Sequence, residues 1–197
     1  MVKLIKIHIW CLFVLLGNTC HGFIDGPVAG RTGAPNDICN GLTCNVSPCH
    51  DSYPLNSGTA TFSITVSSSY EGGKTTDIRV EFDNSNTSLH GFEITAMDAT
   101  NTKVGTFTST DNTTQTESYK NQYAAHTAIG TAESIWQTQW SAPMEKISDP
   151  ITFYAAGNEA NGDGTASGDF IYTATATTYA QCIPSTIKTS PKSISIK

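Results

Sequence analysis

The sequence predicts an all-β protein, an antiparallel β-sandwich preceded by a loop-built segment rich in glycine, proline and cysteine. Three observations predict it. From Thr59 onward, short runs of Thr, Val, Ile and Phe are broken by Gly, Asn and Asp at the regular spacing of strands and turns. No segment sustains the period of an amphipathic helix. The 197 residues are 38% hydrophobic and 14% charged, a composition that suits one ordinary globular domain with appendages.

Taken in chain order, residues 1–22 read as a secretory leader. Lys3 and Lys6 form a basic start, and residues 7–16 (IHIWCLFVLL) are an apolar stretch too short to span a bilayer. Cleavage after Gly22 places Cys20 and Gly22 at the two small-residue positions and starts the mature chain at Phe23. Acylation of Cys20 is a weaker reading, because Gly17-Asn18-Thr19 is a poor lead-in to a lipid-modified cysteine. The expected product is exported, secreted or displayed at the cell surface, with no transmembrane span after cleavage.

Residues 23–58 are rich in Gly, Pro, Asn and Cys and carry no helical period, so this segment is expected to be held by something other than a core. The sandwich is expected over residues 59–180. Its first strand, residues 61–66 (TFSITV), alternates so that Phe62, Ile64 and Val66 share a face. Residues 77–82 (DIRVEF) do the same with Ile78, Val80 and Phe82. Further strands are expected at residues 91–97, 103–108, 134–140, 151–156 and 170–177, about seven in all. Trp136 and Trp140 fall on one face of their strand and are read as anchors between the two sheets. The polar connection between residues 108 and 134 holds Tyr119, Tyr123 and His126 and is read as a long functional or mobile loop. Residues 181–197 form a polar tail without an acidic side chain, read as a linker or stub.

Charge excludes one class of partner. The whole chain carries −6, and removal of the leader leaves nine basic against 17 acidic side chains, a charge of −8. Such a field repels a phosphate backbone, so nucleic acid is not an expected ligand. No nucleophile elbow, zinc-protease helix, phosphate loop or paired carboxylates are present, and an enzyme is not expected. Of the six cysteines, Cys11 and Cys20 leave with the leader. Cys39, Cys44, Cys49 and Cys182 remain as candidates for disulfides in an oxidising compartment.

Blocks of residues along nearly the whole mature chain resemble a known family. They begin with Gly26-Pro27-Val28-Ala29-Gly30-Arg31-Thr32-Gly33-Ala34-Pro35, then Cys49-His50 and Tyr53-Pro54-Leu55-Asn56-Ser57-Gly58. They continue with Gly91-Phe92-Glu93-Ile94-Thr95-Ala96, Gly105-Thr106-Phe107, Tyr123 with His126-Thr127, Trp136, Trp140 with Ala142-Pro143, and residues 151–161 (ITFYAAGNEAN). In this order they resemble the Reelin-like (Reeler) β-sandwich domain, and more closely the bacterial choice-of-anchor V domain proteins. The resemblance implies an immunoglobulin-like sandwich and an exported surface or extracellular module that works by binding or display, with an unknown extracellular ligand. It rests function on analogy of fold alone.

The resemblance also implies a second function. The bacterial relatives carry Cys-x-x-Cys-His where this chain has Cys39-Asn-Gly-Leu-Thr-Cys44-Asn-Val-Ser-Pro-Cys49-His50, and Cys-x-x-Cys-His is the attachment pattern of a c-type haem. On that reading Cys44 and Cys49 (or Cys39 in place of Cys44) hold the porphyrin, and His50 and His126 ligate the iron of a small electron-transfer protein. His90, ahead of a strand, is read as a surface residue. Two other readings compete: disulfides, for instance Cys39 or Cys44 with Cys49 and the remaining cysteine with Cys182, or a structural zinc among Cys39, Cys44, Cys49 and His50. Asn158, Glu159, Asn161, Asp163 and Asp169 crowd a Gly-rich stretch that either makes turns or holds calcium, and the turn reading is preferred.

Overall fold

The computed structural model describes residues 23–117, 120–145 and 147–181; the leader, Cys182 and the tail beyond it lie outside the described residues. Ten strands follow one another: β1 (Thr61–Val66), β2 (Ser69–Tyr70), β3 (Thr75–Asp83), β4 (Leu89–Met97), β5 (Thr106–Ser109), β6 (Thr114–Glu117), β7 (Tyr123–His126), β8 (Ile135–Ser141), β9 (Ile151–Ala160) and β10 (Phe170–Ala180). A single turn of 3-10 helix, Ile129–Ala132, interrupts them between β7 and β8. They form a four-stranded sheet in the order β1-β3-β8-β5 and a six-stranded sheet in the order β2-β10-β9-β4-β7-β6. Every pairing is antiparallel except the short parallel contact of β10 with β2.

Alternation builds the core as the period-two pattern requires. Phe62 of β1 sits opposite Phe82 of β3, and Val80 sits opposite Trp136 of β8. Phe92, Ile94 and Ala96 of β4 and Ile151, Phe153 and Ala155 of β9 face them from the other sheet. Trp136 and Trp140 are buried, as their shared face predicts. Trp136 lies against Phe92 with ring centres 4.7 Å apart, and Trp140 meets Phe153 edge-on at 5.3 Å. Each indole N–H reaches a carbonyl, that of Gly130 at 2.9 Å and that of Val104 at 3.0 Å, so neither ring buries an unpaired donor. At Gly157 of β9 an added Cβ would stand 2.6 Å from the Phe62 ring, so this layer closes only around glycine.

One expectation is corrected. The connection between residues 108 and 134 is not one long loop: it contains β6, β7 and the 3-10 turn. β6 and β7 have four residues each, too few to show a period in sequence. β4 is buried on both faces from His90 to Met97. Its outer face is covered by residues 23–58, which lie as a strap across the six-stranded sheet. The strap is therefore laid over a sheet face.

Candidate functional site

The strap is held to the sheet mainly by side chains on strands. Glu93, at the centre of β4 and 1% exposed, points outward and accepts the backbone N–H groups of Gly30 at 3.0 Å and Arg31 at 2.7 Å. One carboxylate thus satisfies two donors of a turn that has no strand partner on the sheet. A second clamp joins Asp37 of the strap to Tyr123 of β7 and Lys103 of the β4–β5 turn. Lys103 Nζ lies 2.6 Å from both Asp37 Oδ1 and the Tyr123 hydroxyl, and the Tyr123 hydroxyl donates to the same carboxylate oxygen. Burial first, then the Asp37 carboxylate, drive the Tyr123 hydroxyl far above its ordinary ionisation range, so it remains a donor. A third tie runs from His50 Nδ1 to Asp169 Oδ2 at 2.8 Å, just ahead of β10. Asn56 completes the attachment by pairing with β10: its N–H meets the Ile171 carbonyl at 2.9 Å and its side-chain oxygen accepts the Thr173 N–H at 2.7 Å.

Between strap and sheet lies a cavity of about 100 Å³ lined by Phe23, Arg31, Cys44, Cys49, His50 and His126. Four of the residues that the sequence singles out, Cys44, Cys49, His50 and His126, therefore meet at one place. A hydrogen bond from the His50 N–H to the Cys44 carbonyl at 3.1 Å closes the loop between them. Asn45 fills that loop, donating to the carbonyls of His50 and Tyr53, both at 2.9 Å. Their chemical states differ. Cys39 and Cys44 are free thiols, whereas Cys49 is disulfide-bonded to a partner outside the described residues. The pairing of Cys39 or Cys44 with Cys49 is thus not the one formed, and Cys182, the other candidate, lies outside the described residues. Burial, with Glu93 beside it, pushes the Cys44 thiol up to about 11, so it stays protonated and inert at neutral pH.

His126 sits at the end of β7 with its ring folded over Gly91, where an added Cβ would lie 2.6 Å from the imidazole. The Phe92 N–H donates to Nδ1 at 3.0 Å, and the ring also hydrogen-bonds the Phe23 backbone. Burial holds this imidazole below its ordinary value despite those contacts, which keeps it neutral.

These residues do not fit a haem held through Cys44 and Cys49. The Cys49 sulfur is already bonded. The zinc reading meets the same obstacle at Cys49, and among the described residues no three His, Cys, Asp or Glu side chains converge as a metal site.

A second polar cluster is absent from the sequence reading. His90, expected at the surface, is 5% exposed inside β4 and stacked on Phe82. Its Nε2 lies 2.7 Å from Ser85 Oγ and its Nδ1 lies 3.2 Å from the Glu133 carbonyl, while Ser85 also donates to Glu159 at 2.7 Å. Glu159 points into the sandwich, where the Tyr172 hydroxyl donates to it at 2.6 Å; burial and that carboxylate push the Tyr172 hydroxyl up to about 12. The rest of the proposed calcium stretch is tied into turns: Asp163 accepts from Thr165, Asn161 from Asp163, and Asp169 from the Asn161 N–H. Neither cluster carries a signal in sequence, because Ser85 meets Glu159, and Asp37 meets Tyr123, across more than 70 residues.

A two-sheet sandwich with a polar strap across one face defines the class as a β-sandwich module. The Reeler domain model matches residues 42–160, more than half of the chain, and the protein belongs to that family. Reeler domains are typically extracellular. Among solved structures, the chain is similar to the Reelin-N domain of F-spondin, with 18% identity over 67% of this chain and 94% of that one and a TM-score of 0.49. It is also similar to BslA, a bacterial hydrophobin, with 12% identity over 66% and 100% of the two chains and a TM-score of 0.36. No curated protein matches. Among the described residues no helix is long and apolar enough to cross a membrane.

Proposed function

We propose that the protein is an exported binding or display module, released from the leader in residues 1–22, whose working surface is the strap side of the six-stranded sheet. The observation that carries the reading is the contrast between the strap's two sides. Its inner side is locked by Glu93, Asp37 and Asp169, whereas Ile38 and Leu42 of the strap stay about half-exposed or more. A segment fixed on one side and apolar on the other presents a preorganised surface, which lowers the ordering cost of binding. Family membership supports the same reading. No electron-transfer step is assigned, because the Cys-His cluster does not fit the haem it would require.

The test is fractionation of producing cells together with add-back of purified, labelled protein to cells lacking it. Export predicts protein in the medium or open to protease on intact cells, and binding predicts saturable retention on the cell exterior that Ile38→Asp weakens. Leader-bearing protein confined to the cytosol, or retention that never saturates, overturns the proposal.

A further inference from the structure

We infer that the free edge of β1 is a self-association surface, on which a second copy of this chain adds its own β1 antiparallel about a two-fold axis and joins the two four-stranded sheets into one of eight strands. β1 is the outermost strand of its sheet and, at six residues, the longest of the four strands that end the two sheets.

Backbone parity fixes which of its groups are unpaired. At the two ends of the β3–β8 ladder the Phe82 N–H donates to the Ser134 carbonyl at 2.8 Å and the Ala142 N–H donates to the Lys74 carbonyl at 3.0 Å. Even-numbered residues of β3 therefore bond to β8, and Arg79, Glu81 and Asp83 bond to their β1 partners Thr65, Ser63 and Thr61. The N–H and C=O groups of Phe62, Ile64 and Val66 point the other way, and among the described residues none of them meets a hydrogen-bonding partner. Sheet margins are commonly shielded by charge, proline or a bulge. β1 has none of these. Its sequence TFSITV carries no charge and no proline, and its register with β3 runs unbroken from Thr61 opposite Asp83 to Val66 opposite Ile78.

The edge is complementary to itself. Antiparallel pairing about the two-fold sets Ile64 of one copy opposite Ile64 of the other and Phe62 opposite Val66, and each of these pairs exchanges two main-chain hydrogen bonds. On the solvent face Ser63 then meets Thr65, a hydroxyl pair with no like charges opposed; on the inner face Phe62 meets Val66, an aromatic beside a branched side chain. Ile64 and Val66, only partly buried in the single chain, gain cover. Because both copies use the same edge, pairing consumes it and stops at two. A seam about 20 Å long buries less than the roughly 1,200 Å² of a lasting complex, so the dimer exchanges and fills only at high protein concentration.

The test is sedimentation velocity of the purified full chain over about a hundredfold range of concentration, with amide exchange followed by NMR at both ends of that range. The expected result is a monomer–dimer equilibrium without larger species, in which the Phe62, Ile64 and Val66 amides slow at the high end while those of Ser63 and Thr65 are slow throughout. Ser63→Lys combined with Thr65→Lys brings lysines face to face across the seam and should weaken the dimer about tenfold or more, with the melting temperature held. Thr106→Lys combined with Thr108→Lys adds the same charge at exposed positions of β5, on the opposite margin of the sheet, and should leave the dimer unchanged. A monomer at every concentration overturns the inference and leaves the edge to a strand of another protein. Growth beyond two copies, equal weakening by both double variants, or a dimer whose Phe62, Ile64 and Val66 amides exchange as fast as in the monomer overturns it as well. Should the β1 variant not fold, the amide pattern of the unmodified chain still decides.

Discussion

The sandwich and the strap are stabilised by opposite means. Between the sheets, aromatic and branched side chains exclude water, and the polar atoms that enter, such as the two indole N–H groups, find carbonyls. Across the outer face of the six-stranded sheet, the strap is tied down by a few carboxylates, each accepting several donors. The core's energy is dispersion summed over many contacts, whereas a clamp concentrates its energy in one group.

Substitutions sharpen that contrast, beginning with the core. Trp136→Ala or Phe153→Ala should remove about 3 to 5 kcal/mol from global unfolding in denaturant. A near-neutral midpoint would refute the packing described. Glu93→Ala should cost about 2 to 3 kcal/mol by stranding the Gly30 and Arg31 N–H groups. Its signature is faster hydrogen exchange in the strap while tryptophan fluorescence stays native; uniform loosening of both regions would merge them into one cooperative unit. Gly91→Ala should cost about 2 kcal/mol, because the new Cβ must displace the His126 imidazole, and a crystal structure with that ring unmoved would contradict it. Tyr123→Phe, which removes one donor from Asp37 but leaves Lys103, should cost about 1 kcal/mol by thermal melting.

The smallest effect is one of pH. His126 and His90 both have folded values held below the ordinary one, by burial first, so the unfolded chain takes up their protons more readily. Their contribution is complete above about pH 6.5 and is lost as pH falls from there toward the folded values. The melting temperature should therefore drop between pH 7.5 and pH 5.5, and His126→Gln should shrink that drop. A drop unchanged in the variant would assign it to other groups.

The two regions were also unequally legible in the sequence. β1 follows from the alternation of Phe62, Ile64 and Val66, and the placement of Trp136 and Trp140 from their shared parity, because a period of two is a local property. The gathering of Cys44, Cys49, His50 and His126 around one cavity follows the family resemblance. Their chemical state does not, since it depends on which sulfur meets which. The clamps were illegible for a related reason. Glu93 reads as an ordinary polar residue on a strand's outer face, and only the strap laid over it makes that carboxylate an internal anchor. His90 looked superficial because a histidine at the start of a strand gives no local sign that Phe82 will cover it.

The brevity of the outermost strands has a consequence for assembly. The six-stranded sheet ends in β2, with two residues, and β6, with four, and the smaller sheet ends on one side in the four residues of β5. Such stubs offer few free backbone donors and acceptors in a row, so a foreign strand gains little by aligning with them. Self-stacking into fibrils through these three margins is disfavoured.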